Sequence, residues 1–308
     1  MTTSIEHQSS DLFDATRYWG SEGSTGEYRP QPIEDEVPRL SGAGLDGVSL
    51  AGPMSHHEHV SGVQAGDIGS VHSWELVTAV DGPGTRLTTF FAGCPLRCLY
   101  CHNPDTLKMK EGTAVRATDM LEKIARYKAV FTVSKGGVTF SGGEPMMQPK
   151  FLARLLAGCK EIGIHTAVDT SGFLGVNMTE EMLANVDLFL LDVKSGIPEQ
   201  YKRTTGRDLA PTLAFGKRLV ENGKKIWIRF VLVPGLTDAP ENVNAVADIV
   251  QSWASSVERV EVLPFHQMAR DKWASLGLEY QLNDVEPPSK EATEAVRDIF
   301  RSRGLTVF

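Results

Sequence analysis

Gly93 to Asn103 reads GCPLRCLYCHN, which sets Cys94, Cys98 and Cys101 at the spacing C-x3-C-x2-C. Thiolates are soft ligands that suit zinc, copper(I) and iron–sulfur clusters. A structural zinc site takes four ligands, commonly as two separated pairs. His102 is the fourth candidate, but the adjacent Cys101 and His102 are poorly placed to reach one tetrahedral ion together. A [4Fe–4S] cube has four irons, so three cysteines leave one iron open to a substrate or cofactor. The spacing favours the cluster, and a zinc-binding interaction module stands as the alternative from another class. Cys159 lies inside a helical pattern and reads as a small buried hydrophobe.

A second chemical stretch is SGGEP, Ser141 to Pro145. Its glycines let backbone approach a ligand where a Cβ would block it. The surrounding SKGGVTFSGG lacks the Lys-Ser/Thr ending of a phosphate loop. The run His56, His57, Glu58 and His59 could bind a divalent metal, but nothing beside it fixes a geometry, and it reads as a solvated piece of a flexible tail.

From about residue 71 the chain alternates apolar strands with amphipathic helices. WELVTAV, RLTTFFAG, GVTFSG, HTAVDTS, DLFLLDVK, KIWIRFVLVPG and VERVEVLPFH read as strands, with a final LTVF. ATDMLEKIARYKAVF reads as one helix, and QPKFLARLLAGCKEIG as a helix closed by Gly163. TEEMLANV, APTLAFGKRLVENG, PENVNAVADIVQSWASS and KEATEAVRDIFRSRG are further helices. Such alternation means a parallel sheet. Cys94, Glu144, Asp169 with Ser171, Asp192 with Lys194, and His266 all fall at strand C-terminal ends. In a barrel those ends converge on one mouth, whereas an open sheet would spread them along an edge. The fold class is therefore α/β, a closed or partly closed barrel.

Residues 1–70 are rich in Gly, Ser, Pro and Glu, and hold eleven Asp/Glu against three Arg and no Lys. That accounts for the whole net charge of −8, leaving 28 acidic and 28 basic residues in 71–308. A neutral body argues against nucleic acid as partner. The arm, residues 1–68, reads as a mostly disordered acidic extension to a barrel over 69–308. DLFDATRYW and VPRLSGAGL are the pieces of it that could dock. No apolar run is long enough to span a membrane, and MTTSIEHQSSDLFD lacks the basic start and apolar core of a secretory signal. Cysteines gathered in one loop imply a reducing cytoplasm rather than a disulfide framework.

The cysteine loop, with Tyr100 before its last cysteine, and SGGEP after the next strand resemble the radical S-adenosylmethionine superfamily. DGPG (Asp81 to Gly84), GGVTFSGGEP, GIHTAVDTSG, LLDVK, WIRFVLVPG, VLPFH and Lys272-Trp273 are similar, in this order, to the pyruvate formate-lyase activating enzymes within it. The resemblance covers residues 69–308 and implies a partial (β/α)6 TIM-like barrel of the radical SAM type. It implies that Cys94, Cys98 and Cys101 hold one [4Fe–4S] cluster, whose open iron takes the amino and carboxylate groups of S-adenosylmethionine. Tyr100, His102, Gly143, Asp192, Val193, Lys194 and His266 would lie along that cosubstrate, and Arg229 would support its carboxylate or Asp192. Asp169 and Thr170 resemble a monovalent cation site.

The implied activity is reductive cleavage of S-adenosylmethionine to methionine and a 5′-deoxyadenosyl radical, which makes a glycyl radical on pyruvate formate-lyase under anaerobic conditions. Flavodoxin or ferredoxin is the expected electron donor, and a monomer the expected state. The chain lacks the extra Cys-x2-Cys clusters that several activases of other glycyl-radical enzymes carry. Such an activase is nonetheless the nearer alternative.

Overall fold

The computed structural model describes residues 55–78 and 80–308, together with Leu45, Val48 and Ala51. Helix α1 (His56–Ala65) leads into the antiparallel strands β1 (Ile68–Thr78) and β2 (Thr85–Phe91). After the cysteine loop come β3 (Thr113–Arg116), α2 (Ala117–Arg126) and α3 (Lys128–Ser134). Strand then alternates with helix: β4 (Gly137–Gly142), α4 (Pro149–Glu161), β5 (Thr166–Thr170), α5 (Glu180–Ala184) and β6 (Leu188–Asp192). Two helices, α6 (Pro198–Thr205) and α7 (Ala210–Glu221), precede β7 (Lys225–Leu232). The chain continues through α8 (Pro240–Ser252), β8 (Val257–Pro264), α9 (Arg270–Ser275) and α10 (Lys290–Arg301). Pro149, Pro198 and Pro240 open their helices at the first turn, where the missing N–H costs nothing.

All eight strands form one sheet in the order β3-β1-β2-β4-β5-β6-β7-β8. From β2 to β8 the six strands are parallel, as the alternation requires. The sheet does not close, because β3 and β8 stand at opposite ends of that order. Of the two barrel forms expected, the partial one is found. No described helix is long and apolar enough to cross a membrane.

The main core lies between sheet and helices. Phe91, Phe140, Phe189, Ile228 and Phe230 meet Leu152, Leu156, Phe215 and Val246 there. The alternate strand residues turn to the other face, where Ala167, Leu188, Leu190 and Trp227 form a smaller apolar layer. A third cluster gathers Tyr100, Val233, Phe265, Trp273, Tyr280 and Leu282 around the cysteine loop.

Several local expectations are corrected. The single helix expected over ATDMLEKIARYKAVF is two, because the chain turns at Tyr127 (φ −95°, ψ 3°), whose ring packs against Trp74. The final LTVF forms only a parallel bridge from Val307 to Val260. Strand β3 and helices α6 and α9 were not anticipated: each is short, with few apolar residues to mark a period. The His-rich run is the start of α1, capped by Ser55 in a reciprocal box with Glu58. Leu45, from the second docking piece, is buried in the main core, and DLFDATRYW lies outside the described residues. The disordered reading of the arm, residues 1–68, falls mostly outside the described residues, but its end is ordered as α1 and the start of β1.

Candidate active site

The cysteine loop leaves β2 and is fixed from two sides. The Gly93 and Cys94 N–H groups donate to the carbonyls of Thr106 (2.7 Å) and Leu107 (3.1 Å). On the other side the Arg97 and Leu99 N–H groups donate to Thr205 (2.8 Å) and Thr204 (3.0 Å), at the end of α6. The Trp273 indole N–H donates to the Cys101 carbonyl (2.9 Å), and Tyr280 packs on that indole. The Lys272–Trp273 pair therefore clamps the loop's end, with Lys272 reaching Asp105 at 3.2 Å.

Burial pushes all three cluster-loop thiols above the ordinary cysteine range, Cys101 to about 12. Such thiols ionise when a metal takes them and otherwise stay protonated. The three interact through charge, yet among the described residues no three His, Cys, Asp or Glu are grouped as ligands of one metal ion. A cube sets each thiolate on a different iron, and the three thiols share one loop.

Beside this loop runs the glycine turn that ends β4. Gly142 has φ +116°, a conformation that favours glycine. Gly143 donates to the Phe91 carbonyl (2.9 Å), and a Cβ added to it would lie 2.3 Å from the Gly93 carbonyl oxygen. Glu144 is a strut and not an exposed acid. Its carboxylate accepts from the Thr170 hydroxyl (2.8 Å) and from the Ser171 N–H (3.0 Å) and hydroxyl (2.6 Å). Burial raises its pKa against those hydrogen bonds.

At the end of β6, Lys194 pairs with Asp192 at 2.9 Å and lies 5.7 Å from the Tyr100 ring. Burial disfavours the Lys194 charge, but Asp192, Tyr100 and Cys98 outweigh it and hold the pKa well above the lysine range. Val193 is buried, and its N–H donates to the Arg229 carbonyl (3.1 Å). His102 and His266 stack with ring centroids 4.1 Å apart. Burial, then His266, depress the His102 pKa to about 4, so the ring is neutral at pH 7. The His102 Nε2 and Tyr100 Oη are both buried with no hydrogen-bond partner. Buried polar atoms left without a partner need a water, ion or ligand to satisfy them.

Arg229 does not reach Asp192 by a hydrogen bond. Its guanidinium contacts Asp81 (3.0 Å), Asp169 (3.2 Å) and Glu261 (3.3 Å). Burial disfavours its charge, but the three carboxylates outweigh that and raise its pKa. Burial also pushes Asp169 up to about 6 against the pull of Arg229. Asp169 further accepts from Ser141 (2.6 Å), whereas the Thr170 side chain turns to Glu144 on the other face of β5. Asp169 and Thr170 are thus neighbours whose side chains diverge. Sequence reasoning gave no individual role to Asp81, Glu261 or Trp273, and placed Ser141 only within the SGGE segment expected at the methionyl end. Asp81 and Trp273 sit in quoted motifs, and Glu261 faces Arg229 in the β7–β8 register.

The donor set fits a [4Fe–4S] cluster with S-adenosylmethionine: three thiols on one loop, a glycine turn that excludes a Cβ, and unpartnered polar atoms on Tyr100 and His102. Residues 88–245 match the radical SAM superfamily. A pyruvate formate-lyase-activating enzyme of Clostridium pasteurianum is 47% identical over 224 residues, 73% of this chain and 93% of that protein. The pyruvate formate-lyase 1-activating enzyme of Escherichia coli (strain K12) is 39% identical over 242 residues, covering 78% and 98%. Among solved structures, a radical SAM methyltransferase from Sphaerobacter thermophilus shares the fold, with TM-score 0.54 at 18% identity over 76% of this chain and 71% of that one.

Proposed function

The chain belongs to the pyruvate formate-lyase-activating enzymes of the radical SAM superfamily, and from that membership we infer how its site works. It is an activating enzyme that generates a glycyl radical, with a [4Fe–4S] cluster and S-adenosylmethionine, and its protein substrate is pyruvate formate-lyase. The chemistry that a bound cluster supplies is one-electron cleavage of S-adenosylmethionine to methionine and a 5′-deoxyadenosyl radical, which takes hydrogen from the glycine α-carbon.

The residues divide the remaining work. Cys94, Cys98 and Cys101 hold the cluster as thiolates. The Gly143 backbone offers close approach to the methionyl end. Tyr100 and His102 present their free polar atoms to the cosubstrate, with His266 orienting His102 by stacking. Lys194, fixed by Asp192, supplies positive charge beside Tyr100 and Cys98. Val193 aligns the β6 end through its N–H, and Arg229 holds Asp81, Asp169 and Glu261 in one rigid set. A monovalent cation here would be held by the Asp169 carboxylate, since the Thr170 hydroxyl is taken by Glu144. Flavodoxin or ferredoxin supplies the electron, and the working unit is a monomer.

The observation that carries this reading is the three-thiol loop with the Gly142–Gly143 turn packed against it. EPR on anaerobically reconstituted, reduced protein tests it. A [4Fe–4S]⁺ signal that changes on adding S-adenosylmethionine is expected. No iron–sulfur signal, or one indifferent to the cosubstrate, would overturn it.

A further inference from the structure

The segment that follows α9 brings a phenol to the end of the cysteine loop. Gly277, with φ +65°, turns the chain out of α9, and the Leu278 N–H donates to the Trp273 carbonyl (3.0 Å). Gln267 fixes what comes next: its side-chain amide donates to the carbonyls of Leu282 (2.8 Å) and Val285 (2.7 Å). The Arg270 guanidinium donates to the Asn283 carbonyl (2.8 Å). Tyr280 is thereby held against Trp273, with ring centroids 5.3 Å apart and planes 30° apart. That indole binds the Cys101 carbonyl, and Cys101 itself packs against the apolar group of Tyr280, Trp273 and Phe265.

Tyr280 is only 8% exposed, and its hydroxyl is buried with no hydrogen-bond partner among the described residues. Ring packing alone would be served by phenylalanine, without the cost of desolvating a hydroxyl. The phenol lies near enough to Cys101 for their charges to interact. Burial first, then Cys101, push its pKa up to about 12, against the pull of Arg270. It is a donor held rigidly beside a cluster cysteine, and the chain offers it no acceptor.

We propose that the Tyr280 hydroxyl donates a hydrogen bond to a sulfur of the cluster held at Cys101 and so raises the cluster's reduction potential. The proposal rests on the activating-enzyme reading, which puts a [4Fe–4S] cluster on this loop. Hydrogen bonds to the sulfurs are among a protein's levers on cluster potential. Reduction adds one electron to the cluster, with no bond made or broken, and the phenol keeps its proton. An O–H dipole directed at sulfur favours the more negative, reduced state, the more so where water is excluded.

The test is an EPR-monitored redox titration of reconstituted holoenzyme, with iron and sulfide counted per chain. Tyr280→Phe keeps the ring on Trp273 and removes only the hydroxyl. At a fixed poise it should hold about tenfold less reduced cluster relative to oxidised, a midpoint about 59 mV lower, with iron content unchanged. Tyr280→Leu removes the ring as well and should also lose iron. In deuterated buffer, ENDOR of the reduced wild-type cluster should show an exchangeable proton coupling that is missing in Tyr280→Phe. A wild-type or higher midpoint in Tyr280→Phe overturns the proposal, as does an iron loss equal to that of Tyr280→Leu. So does a wild-type cluster with no coupled exchangeable proton, a result that needs no variant to fold. Absence of any iron–sulfur signal in the wild-type chain would sink the activating-enzyme reading and this proposal with it, whereas the other outcomes bear on Tyr280 alone.

Discussion

Cys98 and Arg229 show how differently two buried polar side chains act. Cys98 is a buried thiol whose burial raises its pKa, opposed by Lys194, and only a metal gives its sulfur a reason to ionise. Cys98→Ala should therefore leave a folded chain that retains little or no [4Fe–4S] cluster; iron and sulfide per chain would measure this, and a full complement would refute the ligand role. Arg229 is instead the centre of an ion network. Arg229→Gln leaves Asp81, Asp169 and Glu261 gathered without their cation. Removing one partner of a buried ion pair costs about 3–5 kcal/mol, so urea denaturation should show a loss of that size. A loss under 1 kcal/mol would mean that the site is more hydrated than its burial suggests. The residue types were legible in the sequence, but their pairing was not. Arg229 was expected to support the cosubstrate carboxylate or Asp192, its register partner on β6; its direct partners are instead Asp81, Asp169 and Glu261.

At the scale of elements, the loop–strand–turn unit from Gly93 to Glu144 sets the geometry. The Glu144 N–H donates to the Gly93 carbonyl (2.8 Å), tying the glycine turn to the start of the cysteine loop. In Gly143→Ala the new methyl group would meet that same carbonyl. A displacement near 1 Å in a positioned site can cost about 100-fold in rate. S-adenosylmethionine cleavage, followed as 5′-deoxyadenosine formed, should fall by about that factor while bound iron is largely kept. Near wild-type turnover would show that the turn does not bear on the cosubstrate. The glycines and their place after a strand could be read in advance. What could not be read is that Glu144 faces inward onto Thr170 and Ser171, because a carboxylate after a strand looks the same as strut or acid until its partners are known.

For the whole molecule, an open sheet leaves two edges that need cover. The β8 edge is met by the C-terminus, where Val260 and Val262 donate to Thr306 (2.8 Å) and Phe308 (3.2 Å). At the β3 edge the Ala51 N–H donates to the Ala114 carbonyl (3.2 Å). Removing residues 305–308 should expose the β8 edge and cost the burial of Leu305, about 2 kcal/mol. Light scattering during thermal unfolding should rise; unchanged aggregation would show that the edge is protected otherwise. Removing residues 1–54 takes Leu45 and Val48 out of the core. It should lower unfolding stability by about 3 kcal/mol while leaving activation per folded molecule intact. A full loss of activation would give the arm a functional part.

The sequence by itself determined the chemistry and the repeating architecture. Three cysteines at this spacing favour a cluster over a closed zinc site, and period-two and period-3.6 patterns are local properties of strand and helix. The tertiary structure alone decided that Glu144 is a strut, that Arg229 gathers three carboxylates, and that the end of α6 braces the cysteine loop. Each depends on which side chains from distant segments share one space, and that follows from register and packing between elements, which no single segment encodes.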